Sequence, residues 1–292
     1  MYMNNTLEVI RNALERSNGV DERPGGASVR DGSRGTRDAR DGWISPEYHD
    51  SQKAEIDFQT AEAHRCLCLL SDNDALEYYK VLRAQIQQRA VANSWNTIMV
   101  TSPHPGEGKT LTTINLALTM SREFSQTVLL VDADLKYQDV HKYLGYAHPF
   151  GLADYLDGDM PLSEVIVWPG VEKLTIISGG KTVHGSTEML TSPRMKSLMR
   201  EMKTRYEGRY VLFDVPPVLN SSDAISFAHL VDAILLIVEE GRTTMADVQR
   251  AISLLPEEKM LGIAMNRHRF DARGRREGYG FVSKIKRMLP FG

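Results

Sequence analysis

Lys109 and Thr110 close the run Ser102-Pro103-His104-Pro105-Gly106-Glu107-Gly108-Lys109-Thr110, an order of residues suited to holding a polyphosphate. Glycines let successive backbone N–H groups turn inward around phosphate oxygens. A helix starting at the last of them adds its positive end. A lysine there reaches the β- and γ-phosphates, and the neighbouring hydroxyl is placed to ligate Mg²⁺. Pro105 to Leu111 is therefore read as the nucleotide-binding segment, with Pro105, Gly106, Glu107, Gly108, Lys109, Thr110 and Leu111 as contacts. The strict G-x-x-x-x-G-K-[ST] pattern departs only at its first position, which holds Pro103.

Two further motifs put carboxylates after apolar runs. Val128-Leu129-Leu130-Val131 leads into Asp132-Ala133-Asp134, and Tyr210-Val211-Leu212-Phe213 leads into Asp214. Ligands of doubly wound sheets bind outside the carboxyl ends of the strands, which is where these three acids would converge. Three carboxylates beside one triphosphate call for a cation between them. Asn266 and Arg267 follow the last β-like run, and an Asn amide there can pair with an adenine edge; a plain strand-end turn is the alternative.

The elements that must position these groups are legible in the spacing. Short β-rich runs at 97–101, 127–131, 174–178, 210–213, 233–238 and 261–265 alternate with helical segments. Such spacing predicts an α/β fold with a doubly wound, mostly parallel sheet. The near-continuous Val, Ile and Leu content predicts strands buried on both faces. Before the first run, Leu76, Tyr79, Leu82 and Ile86 recur at helical spacing, with Glu77, Lys80 and Arg83 as a charged stripe beside them. Residues 1–17 read as a short amphipathic helix with Leu7, Ile10 and Leu14 on one face, either a docking element or an idle terminus. Residues 18–60 read as a flexible linker, 61–270 as the P-loop domain and 271–292 as a basic tail.

The 292 residues carry a formal charge of −3 and 42% hydrophobic residues, a balance that does not point to nucleic acid. Cys66 and Cys68 are too close for an ordinary disulfide and lack the C-x₂-C spacing of zinc sites, which suits reduced thiols in the cytosol. The longest apolar run, Ala233 to Val238, is far short of a membrane span, so any membrane association is expected to go through a partner.

Taken together, PGEGKT (105–110), LLVDADLK (129–136), TEMLTSPRMKSL (187–198), YVLFDVPPVLNSSDA (210–224) and VEEGRTT (238–244) resemble the bacterial tyrosine kinases of capsule and exopolysaccharide synthesis. The resemblance runs from about Ala75 to Arg267 and is nearest to the stand-alone kinases that serve a separate membrane-bound polysaccharide chain-length protein. That family shares its fold with the MinD and ParA ATPases. The resemblance implies ATP and Mg²⁺ as cofactors, with Lys109 and Thr110 on phosphates and metal. It implies Asp214 as the acid organising the metal, Asp134 in the Mg²⁺ shell and Asp132 as general base toward a protein tyrosine. It further implies a homo-oligomer, through Glu77, Lys80 and Arg83, and a place at the cytoplasmic face of the membrane through the partner.

Lys136 and Lys80 stand where the family carries arginine. Tyr279 is the only tyrosine after Tyr210, where the family has a cluster. Two functions follow from this reading, a protein tyrosine kinase or a MinD-like regulatory ATPase.

Overall fold

Residue-by-residue alternation sorts the strand side chains onto two faces. Ile98, Val100, Val128, Leu130 and Leu212 belong to one buried cluster, and Met99, Leu129, Val131, Val211 and Phe213 to the other. Successive side chains of a strand point to opposite faces, so a sheet apolar at every position needs cover on both sides. The computed structural model describes residues 52–69, 74–123, 126–204 and 208–267.

Among the described residues, eight strands form one sheet in the order β1-β4-β5-β3-β6-β2-β7-β8. They are β1 (Gln52–Lys53), β2 (Thr97–Thr101), β3 (Thr127–Asp132), β4 (Ile166–Trp168), β5 (Leu174–Ile177), β6 (Arg209–Asp214), β7 (Ala233–Glu239) and β8 (Met260–Asn266). Pairings from β5 through β3, β6, β2 and β7 to β8 are all parallel. Among the described strands, only the β4–β5 pair is antiparallel. This is the doubly wound sheet that the spacing predicts, and helices cover both faces. One face is closed by the helix Asp74–Asn93 and the helix Lys109–Met120, whose Leu76, Ile86, Ile114 and Leu118 enter the core. On the other, Met195, Leu198 and Met202 of the helix Pro193–Thr204 and Phe227 of the helix Ser222–Ala228 pack onto the strands. The Phe227 ring meets Phe213 edge-on at 5.1 Å.

The folded part begins earlier than the expected linker boundary at residue 60. Gln52–Lys53 pairs with β4, and Phe58–Ala63 is a helix. Asp57 caps that helix by accepting from the Gln59 N–H at 3.0 Å, and Ile56 and Ala61 are buried. The cap and two buried apolar residues are enough to hold a segment that composition alone reads as linker. The expected amphipathic helix at 1–17, the linker up to residue 51 and the tail at 271–292 lie outside the described residues.

Cys66 and Cys68 are free and buried, and desolvation, with a smaller contribution from Cys68, pushes the Cys66 thiol up to about 12. On the helix Asp74–Asn93, Glu77 and Lys80 pair with each other at 2.7 Å on the surface. Arg83 turns to its own chain, 2.5 Å from Glu123 and donating to the Thr119 carbonyl at 2.8 Å. Among the described residues no helix is long and apolar enough to cross a membrane.

Candidate nucleotide site

The loop between β2 and the helix Lys109–Met120 turns at Gly106 and Gly108, whose φ angles of 81° and 90° lie in the left-handed region. Both positions need glycine on conformational grounds. Gly108 also has no room for a side chain, since a Cβ there would stand 2.0 Å from Asn266 Nδ2. Gly108 is the N-cap of the helix and offers no side-chain acceptor to its first turn. The first-turn amides of any helix lack intrahelical partners, so this end is built for an anionic ligand.

Below the loop, the parallel register of β3 with β6 sets Asp132 directly opposite Asp214. Lys109 Nζ lies 3.1 Å from Asp134 and 3.4 Å from Asp214. The Thr110 hydroxyl donates to Asp214 at 2.6 Å. Lys109, Thr110, Asp132, Asp134 and Asp214 are thus brought into one buried cluster. Among the described residues, no group of three or more His, Cys, Asp or Glu side chains is arranged to hold a metal by itself. The carboxylates gather around an ammonium instead.

Charge and burial set the protonation behaviour of this cluster. Burial pulls the Lys109 ammonium down, but Asp214, Asp134 and Asp132 outweigh it and hold its pKa above the ordinary lysine value. Burial raises the Asp132 carboxyl well above the usual range, and the Asp214 charge adds to the shift against the opposing pull of Lys109. Asp214 is raised too, mainly by burial, while Lys109 and the Thr110 hydroxyl counteract. The Asp132 oxygens accept from the backbone N–H groups of Asp134 and Asp139 at 3.1 Å and of Val140 at 3.2 Å. Asp134 Oδ1 accepts from the Tyr137 N–H at 3.0 Å. The loop after β3 therefore wraps around its own two acids.

The remaining expected contacts divide by position. Pro105 and Gly106 are exposed at the tip, and Leu111 is half-buried on the helix. Glu107 is fully buried and points away from the loop opening. It accepts from the His104 N–H at 2.8 Å and from the Thr243 hydroxyl. Asn266 lies beside the loop, with both ends of its amide engaged. Nδ2 donates to the Glu107 carbonyl at 2.9 Å, and Oδ1 accepts from the Arg267 N–H at 2.8 Å. The amide secures the loop rather than standing free for a base edge.

Sequence spacing gave no role to Glu239, Arg242, Thr243 or Asp223. Glu239 Oε2 is 3.2 Å from Arg242, which also donates to the Pro105 carbonyl at 3.3 Å, and Glu239 Oε1 is 2.6 Å from Arg267. Asp223 accepts from Ser186 at 2.7 Å and from Thr187, and is 3.3 Å from Lys136. Burial would raise the Asp223 carboxyl, yet these hydroxyls and the Lys136 ammonium bring it below its ordinary value. Thr243 and Asp223 sit inside motifs that carry the family resemblance, which was the one available signal. Their partners are distant in sequence and meet only through the sheet topology.

A family model described as NUBPL iron-transfer P-loop NTPase, of the ParA group, matches residues 93–284. The tyrosine-protein kinase YwqD of Bacillus subtilis is 30% identical over 65% of this chain and 80% of its own. The putative tyrosine-protein kinase EpsB of Ralstonia nicotianae is 31% identical over 76% of this chain, which spans only 29% of that longer protein. The kinase domain of Escherichia coli tyrosine kinase ETK superposes with a TM-score of 0.64 at 27% identity, over 71% of this chain and 81% of that one. The cell division ATPase MinD of Pyrococcus furiosus has the same fold, with a TM-score of 0.54 at 22% identity over 67% of this chain and 80% of that one. The P-loop, the paired strand-end acids and these likenesses agree: the chain belongs to the bacterial tyrosine kinase family of the CpsD and YwqD type, within the ParA- and MinD-like P-loop NTPases.

Proposed function

We propose that the chain is an ATP-dependent protein tyrosine kinase that regulates polysaccharide polymerisation and export. The observation that carries this reading is the buried set in which Lys109 Nζ lies between Asp134 and Asp214 while Asp132 faces Asp214 from the adjoining strand. Phosphoryl transfer needs charge neutralisation, alignment and a proton acceptor, and this set offers one residue for each. The uncapped helix end and the two left-handed glycines fit the phosphates of ATP. Lys109 would pair with the β- and γ-phosphates, and Thr110, Asp214 and Asp134 would hold Mg²⁺. When bound, the metal neutralises phosphate charge. Asp132, facing Asp214 from the adjoining strand and oriented by the backbone N–H groups of Asp134, Asp139 and Val140, takes the proton of the acceptor tyrosine.

YwqD and CpsD carry the name tyrosine-protein kinase and match over most of their length, which supports this reading. In it, a membrane-bound chain-length protein is the partner, the kinase acts at the inner face of the membrane, and copies of the chain associate through the helix Asp74–Asn93. The exposed Val81 beside Glu77 and Lys80 supports that face as a contact. A MinD-like regulatory switch is the second reading, favoured by the single tyrosine after Tyr210. Incubation with γ-labelled ATP and Mg²⁺, followed by phosphotyrosine detection, separates the two. Phosphotyrosine supports the kinase, whereas ATP hydrolysis without phosphotyrosine overturns it in favour of the switch.

A further inference from the structure

At the carboxyl ends of β3 and β5 lies a cavity of about 270 Å³, walled by Lys136, His141, Lys142, His148 and Ser178 among others, with no carboxylate among the described residues that line it. It adjoins Asp132 through two walls. His141 and Lys142 belong to the helix Val140–Leu144, and the backbone N–H groups of Asp139 and Val140 at its start hold Asp132. Val131 is the register partner of Ile177, so Asp132 and Ser178 are the next residues of adjoining strands, about 5 Å apart at the usual strand spacing. The lining suits a negative charge. Lys136 lies 3.3 Å from Asp223 and Lys142 lies 2.9 Å from Asp139, and neither acid lines the cavity. An ammonium carries three N–H groups, so each lysine keeps donors for a second carboxylate. The two side chains are 37% and 58% exposed, which leaves both within reach of a ligand. Ser178 Oγ shares a hydrogen bond of 2.8 Å with the buried Tyr146 hydroxyl, and when Tyr146 donates, the serine proton is left for the cavity.

The strand order gives this position a meaning. Across β2, β6, β3 and β5, the carboxyl edge of the sheet presents in turn the phosphate loop, Asp214, Asp132 and the cavity. In phosphoryl transfer the attacking and leaving oxygens lie close to one line, so a donor seated on the β2 and β6 side meets an acceptor that comes in from the β5 side. Residues next to the acceptor then lie over the cavity.

We propose that the cavity is a subsite for an acidic side chain next to the acceptor tyrosine, so that the protein substrates of this chain carry aspartate or glutamate one or two residues from the tyrosine that receives the phosphate. The inference rests on the kinase reading above and names its substrate class. One or two residues of extended chain span about 3–7 Å, which matches the step from Asp132 to the cavity wall. The charge acts on binding. An acid seated on Lys136 and Lys142 is paired alike before and during transfer, so it lowers KM and leaves kcat unchanged.

The test uses the full chain with Mg²⁺ and ATP, and three peptides of one length whose single tyrosine is flanked by glutamate, by glutamine or by lysine. The glutamate peptide is expected to have a KM about tenfold below that of the glutamine peptide at equal kcat, the size of one charge-assisted contact, with the lysine peptide weakest. Lys142→Gln brings the first two together. Lys142→Glu reverses the order in favour of the lysine peptide. The same peptides with phenylalanine in place of tyrosine, fluorescently labelled, report binding without transfer, and their Kd values follow the same order. Equal KM and Kd for all three peptides overturn the inference, and the kinase reading stands if phosphotyrosine forms on the peptides or on the chain itself. An acid preference that survives both Lys142→Gln and Lys136→Gln overturns the cavity as its seat. No phosphotyrosine on any peptide or on the chain overturns the kinase reading and the inference together.

Discussion

Asp132 and Asp214 are register partners on adjacent parallel strands, so two buried carboxylates face each other at the floor of the nucleotide site. Like charges at such a distance do not ionise independently. Lys109 makes the arrangement tolerable, since its ammonium lies against Asp214 and Asp134 and opposes the rise of the Asp132 carboxyl.

Lys109→Met is expected to abolish nucleotide binding and also to destabilise the protein, because acids paired in the interior lose their cation. Breaking a buried pair in this way costs about 3–5 kcal/mol. Without the ammonium the acid pKa values rise further. Carboxyls whose folded pKa is raised take up protons in the folded state first, so the deficit is full above their folded pKa and shrinks as pH falls toward the ordinary carboxylate value. Thermal melts of variant and parent at pH 7.5 and pH 5 check this. A gap that stays constant or widens on acidification would refute it.

Asp214→Asn and Asp132→Asn should fail differently. Asp214 touches the Thr110 hydroxyl and Lys109, so its loss weakens Mg²⁺-dependent ATP binding. Asp132 is held by backbone amides away from Lys109's direct contacts, so its loss spares ATP affinity and lowers phosphoryl transfer by about 10²–10⁴. Calorimetric ATP titration beside a transfer assay measures both. Equal losses of affinity would end this division of labour.

Glu107 and Thr243 should couple. Each is buried, and truncating either removes their shared hydrogen bond and leaves the other with only its backbone partner, the His104 N–H for Glu107 and the Glu239 N–H for Thr243, at a cost of about 1–3 kcal/mol. Glu107→Ala, Thr243→Val and the double variant, compared by denaturant unfolding, are expected to give a double change smaller than the sum. Both single variants should raise the ATP KM more than they lower kcat. Strict additivity would show that the contact does not act as a unit. Asn266→Ala belongs to the same series and should weaken ATP and GTP alike, whereas a changed preference between them would assign the amide to the base.

Cys66 should resist alkylation in the folded protein. Its thiol is buried and pushed up to about 12, so little thiolate exists at neutral pH. Maleimide labelling followed by mass spectrometry is expected to show modification only as the protein unfolds, and prompt labelling of the native chain would contradict the burial.

Six of the eight strands among the described residues were legible because apolar runs recur with helical segments between them, and each of those runs proved to be a strand packed on both faces; the strand order and the short β4 were not legible. The P-loop and the three acids were legible for the same reason, since they sit at fixed offsets from those runs. Glu107 was read as a loop contact, but a sequence does not say which way a side chain leaves a turn; this one leaves inward, to a threonine on another strand's loop. Asn266 was placed at the right edge, but its bonds to the Glu107 carbonyl and the Arg267 N–H depend on a loop conformation that spacing does not reveal. The early start of the fold at Gln52 escaped notice because a two-residue strand has no periodicity to detect.

The helix Lys109–Met120 is buried at all but one of its residues, Leu111 being the exception. A helix packed on every side has no direction in which to tilt, since interiors resist displacement much as crystals do. Information about whether the loop holds di- or triphosphate therefore has to leave the site through something softer. The segments after β3 and β5 are the available route, because the first rests on hydrogen bonds to the site acids, the second is bonded to the first through the Lys181 carbonyl and the Val183 N–H, and both line a cavity. Amide hydrogen exchange would then be slow and nearly the same along the helix in either nucleotide state, with the contrast concentrated between 133 and 142 and between 178 and 185.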